Sequence, residues 1–169
     1  MHIASRILVL VTLCVGLTAC FTSEKPLISA EDAVFPFEHI VFGEASRPDD
    51  RQTWTRKGDA YSFRPDDSAD REALMRLKAV GENLYVVQME FTEDDKPNRL
   101  YALLKADVPA GRVVSYASVM PDEFEAQPGL SICEKAVCID DLDAYVAYAQ
   151  ARMAAGVPPD AEYRIIEMK

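Results

Sequence analysis

Histidine is nearly missing from this chain of 169 residues: only His2 and His39 are present. A zinc site of His and Cys ligands, or a Ser-His-Asp triad, would have to be built around His39. His39 opens a strand-like apolar run, where a partly buried packing role is the expectation. Positive charge is also scarce. Lys and Arg total 18 against 28 Asp and Glu, for a net charge of −10. That excludes a nucleic-acid binder, which needs a basic face against phosphates. It also speaks against docking on anionic lipid by charge alone. No Gly-rich phosphate loop, Walker box or zinc-protease motif occurs. No carboxylate pair stands out for hydrolytic work, so catalysis is not expected and no cofactor is implied. Long hydrophobic runs are absent too. The longest spans 7–17, with Thr12 and Gly16 inside it, and a membrane-spanning helix needs about 20 residues.

What is there is half apolar, 49% by composition, and long enough for one domain with a real core. The 7–17 run follows Arg6 and has the layout of a secretory h-region. It ends in Leu17, Thr18, Ala19 and Cys20. These four residues resemble the lipobox of bacterial lipoproteins, and all four are permitted types. The resemblance covers residues 1–20. It implies cleavage between Ala19 and Cys20, a diacylglycerol thioether on Cys20 and an acylated (palmitate-type) amine. Phe21 stands where an Asp would favour inner-membrane retention, so the implied address is the outer membrane, facing the periplasm. Residues 1–19 would then be signal peptide. Removing Arg6 leaves 17 basic residues against 28 acids, or −11. Acyl chains in combination anchor firmly where one alone binds marginally.

Four cysteines are present. Cys14 leaves with the signal and Cys20 takes the lipid. Cys133 and Cys138 remain, and an oxidising compartment makes a local disulfide between them the default. Their spacing is not the C-x-x-C of redox proteins.

Residues 20–34 carry the lipidated Cys20 and then Thr22, Ser23, Glu24, Lys25 and Pro26, poor core material. They are expected to form a tether, with one helical turn starting at Ser29. Residues 35–169 form the single globular domain. Short strands are expected at 40–42, 53–55, 61–63, 74–80, 84–91, 100–105 and 113–119, with turns at Gly58, Gly81 and Gly111. In 84–91, Tyr85, Val87, Met89 and Phe91 share one face, while Leu84, Val86, Gln88 and Glu90 share a mixed one. The mixed face is either solvated or the lining of a polar-rimmed cavity. An amphipathic helix is expected from a cap at Asp140 or Asp141, carrying Leu142, Tyr145, Val146, Ala149 and Met153 inward. Gly156, Pro158 and Pro159 stop it, and a last strand follows at 162–166. The fold class is therefore α+β and mainly β. An antiparallel meander of about seven to eight strands is expected, closed or not into a small barrel, with one C-terminal helix.

In a meander alternate loops share an end. The Gly turns fall at one end, and stretches 47–51, 64–71 and 92–97 at the other. That rim would gather Asp49, Asp50, Asp66, Asp67, Asp70, Glu93, Asp94 and Asp95. Such a rim suits a hard cation or a basic partner, yet Asp and Pro are also ordinary turn residues, and no metal is assigned. Aromatics in the strands either fill a core or line a ligand cavity. The Gly-x-Trp fingerprint of lipocalins is absent, since Trp54 follows Gln52 and Thr53. The domain is similar to small envelope lipoproteins of proteobacteria in its Gly156, Pro158, Pro159 helix end and its terminal Tyr163, Arg164, Ile165. That likeness implies no activity. The expectation is a lipid-anchored binding or envelope-maintenance module, held to the membrane by its N-terminal lipid and acting through envelope protein contacts. The alternative is a small-barrel carrier of an apolar or amphipathic ligand.

Overall fold

The computed structural model describes residues 19–63, 72–93, 95–119, 124–134 and 136–169. Its strands are β1 (Ala19–Thr22), β2 (His39–Glu44), β3 (Arg47–Lys57), β4 (Ala60–Phe63), β5 (Ala73–Gly81) and β6 (Leu84–Glu93). They continue with β7 (Lys96–Asp107), β8 (Arg112–Tyr116), β9 (Ser118–Val119), β10 (Leu130–Cys133), β11 (Ala136–Ile139) and β12 (Ala161–Met168). Helix α1 (Leu142–Ala154) precedes β12.

The hairpins expected at Gly58, Gly81 and Gly111 form. Lys57 pairs with Ala60, Gly81 with Leu84, and Asp107 with Arg112. Gly58, at φ 66°, takes the first place of a two-residue turn that suits a residue without Cβ. Strands β7, β6, β5, β4, β3, β2, β12 and β8 pair antiparallel in that order, and β8 returns to β7. The meander closes as an eight-stranded barrel. Register shifts in β2–β3, β5–β6 and β12–β2 mark bulges, which sharpen the bending that closure needs.

Alternation fills the barrel. Phe42, Trp54, Tyr61, Phe63, Met75, Leu77, Val87 and Leu104 form one buried cluster, with Tyr85, Met89 and Phe91 packed against it. The mixed face of β6 does not meet either expectation. It lies outside the barrel but under a second layer. Leu84, Val86, Tyr101 and Leu103 pack there with Phe21, Val137, Ile139, Leu142, Tyr145 and Ala149. Helix α1 starts where expected: the Asp141 side chain caps it by accepting from the Asp143 amide. Gly129, at φ 84°, brings its carbonyl to the Asp140 and Asp141 amides. A Cβ there would stand 2.7 Å from the Asp141 Cβ, so the close approach requires glycine.

Three expectations need correction. Segment 47–51 is strand rather than loop; the β2–β3 turn falls at Ala45 and Ser46. Gly43 pairs with Arg51 and Glu44 with Arg47, so positions 48–50 are absorbed as a bulge, which tolerates Pro48. Segment 113–119 is not one strand. It breaks at Ala117, and β9 turns to pair with β1. Residues 21–34 are not a tether. Phe21 and Ile28 are buried at 2% and 0% exposure, and β1 inserts between β7 and β11. The hydrophilic letters at 22–26 misled because their partners are polar groups on the barrel wall. Gln88 Oε1 accepts from the Leu27 amide (2.8 Å), the Ile28 amide (2.9 Å) and the Tyr101 hydroxyl (2.9 Å). Arg99 donates to the Glu24 carbonyl (2.7 Å) and to Glu90 (2.6 Å). The single turn at Ser29 does form, closed by Ser29 and Asp32.

Candidate functional site

The barrel has two unlike mouths. The mouth at the Gly turns is crossed by the chain entering β2. The Val34 amide donates to the Leu77 carbonyl of β5 (2.8 Å), and the Tyr61 hydroxyl donates to the Phe37 carbonyl (2.6 Å). The Phe37 ring stacks on Tyr61 at 4.6 Å, and the Arg56 guanidinium sits 4.2 Å from the Phe35 centroid. Arg56 also pairs with Glu38 (2.7 Å). The strap therefore plugs the lumen with phenyl rings. Below it Tyr61 and Met75 have no exposed surface. Burial pushes the Tyr61 hydroxyl up to about 12, against the opposing pull of its bond to Phe37. Trp54 Nε1, also in the lumen, has no hydrogen-bond partner.

The other mouth carries the turns between β2 and β3 and between β6 and β7. Asp49 in β3 is exposed there, as are Glu93 and Asp95 at the β6–β7 turn. Asp95 adopts φ 60°. Asp66, Asp67, Asp70 and Asp94 lie outside the described residues, as does the Asp50 side chain. At this end Glu44 is pushed up by burial but held lower overall by its bonds to Ser46 and Arg47. Among the described residues no group of three or more His, Cys, Asp or Glu side chains could hold a metal ion. His39 sits at the start of β2 with Nδ1 3.1 Å from the Thr55 hydroxyl, the packing position expected of it.

Outside the barrel, β1, β11 and β10 extend the sheet from β7. Cys133 and Cys138 form the expected disulfide across the β10–β11 hairpin. Cys20 lies in β1 opposite Ser118. Its sulfur is itself disulfide-bonded in the full chain. Cys14 is the remaining cysteine of the sequence, and cleavage before Cys20 would remove it. Leu17 and Thr18 lie outside the described residues. No helix among the described residues is long and apolar enough to cross a membrane.

Two hollows flank this layer. One, of about 10 Å³, lies between Phe21, Tyr148, Arg152, Pro158 and Asp160, with room for a single water at most. The other, of about 320 Å³, is shallow and lined by Thr22, Cys133, Glu134 and Ala136. Sequence reading missed Gln88, Arg99 and Asp160. The first two hold the N-terminal segment. The third accepts from the Ala117 and Ser118 amides and fixes the break between β8 and β9. Gln88 had a signal, since it follows Leu84 and Val86 on one face; Asp160 had none. The chain matches no family model, no curated protein and no solved structure.

Proposed function

We propose that this chain is a lipid-anchored, non-catalytic domain of the bacterial cell envelope that works by protein contact. Its lipid would sit on Cys20, and its address would be the outer membrane on the periplasmic side. The lipobox residues Leu17, Thr18, Ala19 and Cys20 support the anchor. The filled lumen supports the contact role. A carrier needs an open cavity, usually of several hundred Å³, whereas here Tyr61, Met75 and Leu77 occupy the centre and Phe35 and Phe37 close one mouth. The contact surface would be the opposite mouth, where Asp49, Glu93 and Asp95 stand exposed, and a partner there would present a basic face.

One observation favours the carrier reading: the unpartnered Trp54 N–H in an aromatic lumen. An internal guest would have to displace the Phe35–Phe37 strap. Native mass spectrometry of residues 21–169, exported to a periplasm and purified gently, separates the two. The expected spectrum shows the bare polypeptide mass. A discrete added mass that disappears on denaturation overturns the contact reading in favour of a guest. With the bare mass found, cross-linking from position 93 in intact envelopes should yield a discrete protein adduct.

A further inference from the structure

We propose that the outer wall of the barrel carries an oxyanion site, in which the guanidinium groups of Arg164 and Arg51 close from two sides on a phosphate-type group. The site goes beyond the contact reading and depends neither on Cys20 nor on the acidic mouth. The register builds it. Tyr163 and Ile165 of β12 and Phe42 of β2 pack into the barrel cluster, so alternation turns Arg164 and Gly43 outward. Gly43 pairs with Arg164 on one side and with Arg51 on the other. Val113 of β8 also packs inward, which turns Arg112 outward, and Arg112 pairs with Arg164. One outward row therefore runs Arg112, Arg164, Gly43, Arg51 across β8, β12, β2 and β3.

The partners of the arginines single this row out. Acids outnumber bases 28 to 18, so an arginine in this chain has many carboxylates to choose from. Arg47, Arg56, Arg76, Arg99, Arg112 and Arg152 each hold a carboxylate or a carbonyl oxygen. Among the described arginines only Arg51 and Arg164 hold neither, and these are the two that flank Gly43. The acids around them are engaged elsewhere. Glu162 holds Arg112 (2.8 Å), Glu44 holds Arg47, and Glu167 holds Lys169 (2.7 Å). Asp49, two residues before Arg51, makes no ion pair with it. Like charges directly opposite in a ladder repel, and Arg112 stands opposite Arg164 in this way. An oxyanion beside them relieves that repulsion. With strands about 4.8 Å apart, the backbones of Arg164 and Arg51 are about 10 Å apart, and Gly43 puts no side chain between them. Two planar forks of donors then face each other. That suits the several oxygens and the double charge of a phosphate monoester, whereas a carboxylate is satisfied by one fork. The chain's net negative charge opposes any anion, so weak but saturable binding is expected.

The test uses the full chain in a non-ionic detergent, isotope-labelled at arginine, with inorganic phosphate added at constant ionic strength. The Nε–H signals of Arg51 and Arg164 should shift together and saturate. Those of Arg56 and Arg76, held by Glu38 and Asp59, should stay in place. Arg164→Gln should weaken the phosphate response of the Arg51 signal by about tenfold, the scale of one lost charge-assisted bond. Arg164→Lys should restore it only in part, since the charge returns without the fork. Both side chains are exposed, so these variants keep the fold. Bicelles carrying phosphatidic acid identify the source. A larger response there than to the same concentration of free phosphate assigns a lipid headgroup, an equal response assigns a soluble phosphate, and either supports the site. Shifts that grow without saturating, shifts alike at every arginine, or saturation by acetate at the same concentration overturn it.

Discussion

The inner and outer faces of one sheet are both buried, but by different means. The inner face of β5, β6 and β7 is covered by the same strands curving round on themselves. Its cluster is apolar apart from the heteroatoms of Trp54 and Tyr61. The outer face of β6 and β7 is covered by three remote pieces: residues 21–28, the β10–β11 hairpin and helix α1. The first of them brings backbone, at 23–28, that pairs with no strand ladder. The outer face therefore carries Gln88 and Arg99, whose side chains take up that backbone. Burial of a sheet face by irregular chain demands polar side chains on the sheet.

The strongest way to break this contrast is Gln88→Leu. The side chain fits the site in size, but the Ile28 amide loses its acceptor, while the Leu27 amide keeps only its longer bond to the Tyr101 oxygen (3.2 Å) and the Tyr101 hydroxyl keeps only Ser23. At roughly 1–3 kcal/mol for the one buried group left unpaired, with two more bonds weakened, a loss of about 3 kcal/mol is expected in urea unfolding. Hydrogen exchange should show the Leu27 and Ile28 amides exposed before the barrel opens. Met75→Ala is the matching cut in the inner core. Met75 is fully buried and the surrounding ladder cannot collapse onto the gap, so about 3 kcal/mol is expected. Here the Leu27 and Ile28 amides should keep their protection relative to the rest of the chain. Identical exchange patterns in the two variants would mean that both cores unfold as a single unit.

This contrast also marks how much could be read in advance. The barrel strands were legible because alternation and Gly turns are local signals. Asp141, Leu142, Tyr145 and Ala149 marked the helix for the same reason. The outer layer was not legible. Thr22, Ser23, Glu24 and Lys25 look like linker, and only the long-range partners Tyr101, Gln88 and Arg99 show otherwise. Likewise 48–50 has the composition of a turn, and only the pairing of its neighbours Arg47 and Arg51 with β2 makes it a bulge. Of the eight acids expected on one rim, the side chains of only three are described. The described residues place Asp49, Glu93 and Asp95 at that end, and show them exposed.

Alkaline pH should weaken both cores together. Tyr61 inside is raised to about 12, and Tyr101 and Tyr145 outside are raised as well, in each case first by burial. A tyrosine in the unfolded chain ionises near its ordinary value of about 10. Below that pH the native and unfolded chains hold the same protons, and the full stability remains. Above it the unfolded chain loses protons that the native chain keeps, so stability falls as pH rises from about 10 towards 12. The slope for Tyr61 alone is about 1 kcal/mol per pH unit. Phenolate absorbance should therefore rise in step with unfolding, whereas independent titration in the native state would show these hydroxyls to be open to water.

The smallest effect falls where each core keeps one polar atom without a partner. Tyr145 has no exposed surface, and its hydroxyl finds no hydrogen bond, although it sits in the layer where Gln88 and Arg99 satisfy the backbone. Trp54 Nε1 is its counterpart inside the barrel. Such atoms have already lost their water, so deleting them removes a cost rather than an interaction. Tyr145→Phe keeps the ring contacts with Phe21 and Tyr101 and drops only the oxygen. It should change the unfolding midpoint little, in the stabilising direction if at all, within about 0.5–1 kcal/mol. A loss larger than that would show that a water bridges this hydroxyl. The outer layer would then be polar throughout, and its contrast with the barrel interior deeper than Gln88 and Arg99 alone make it.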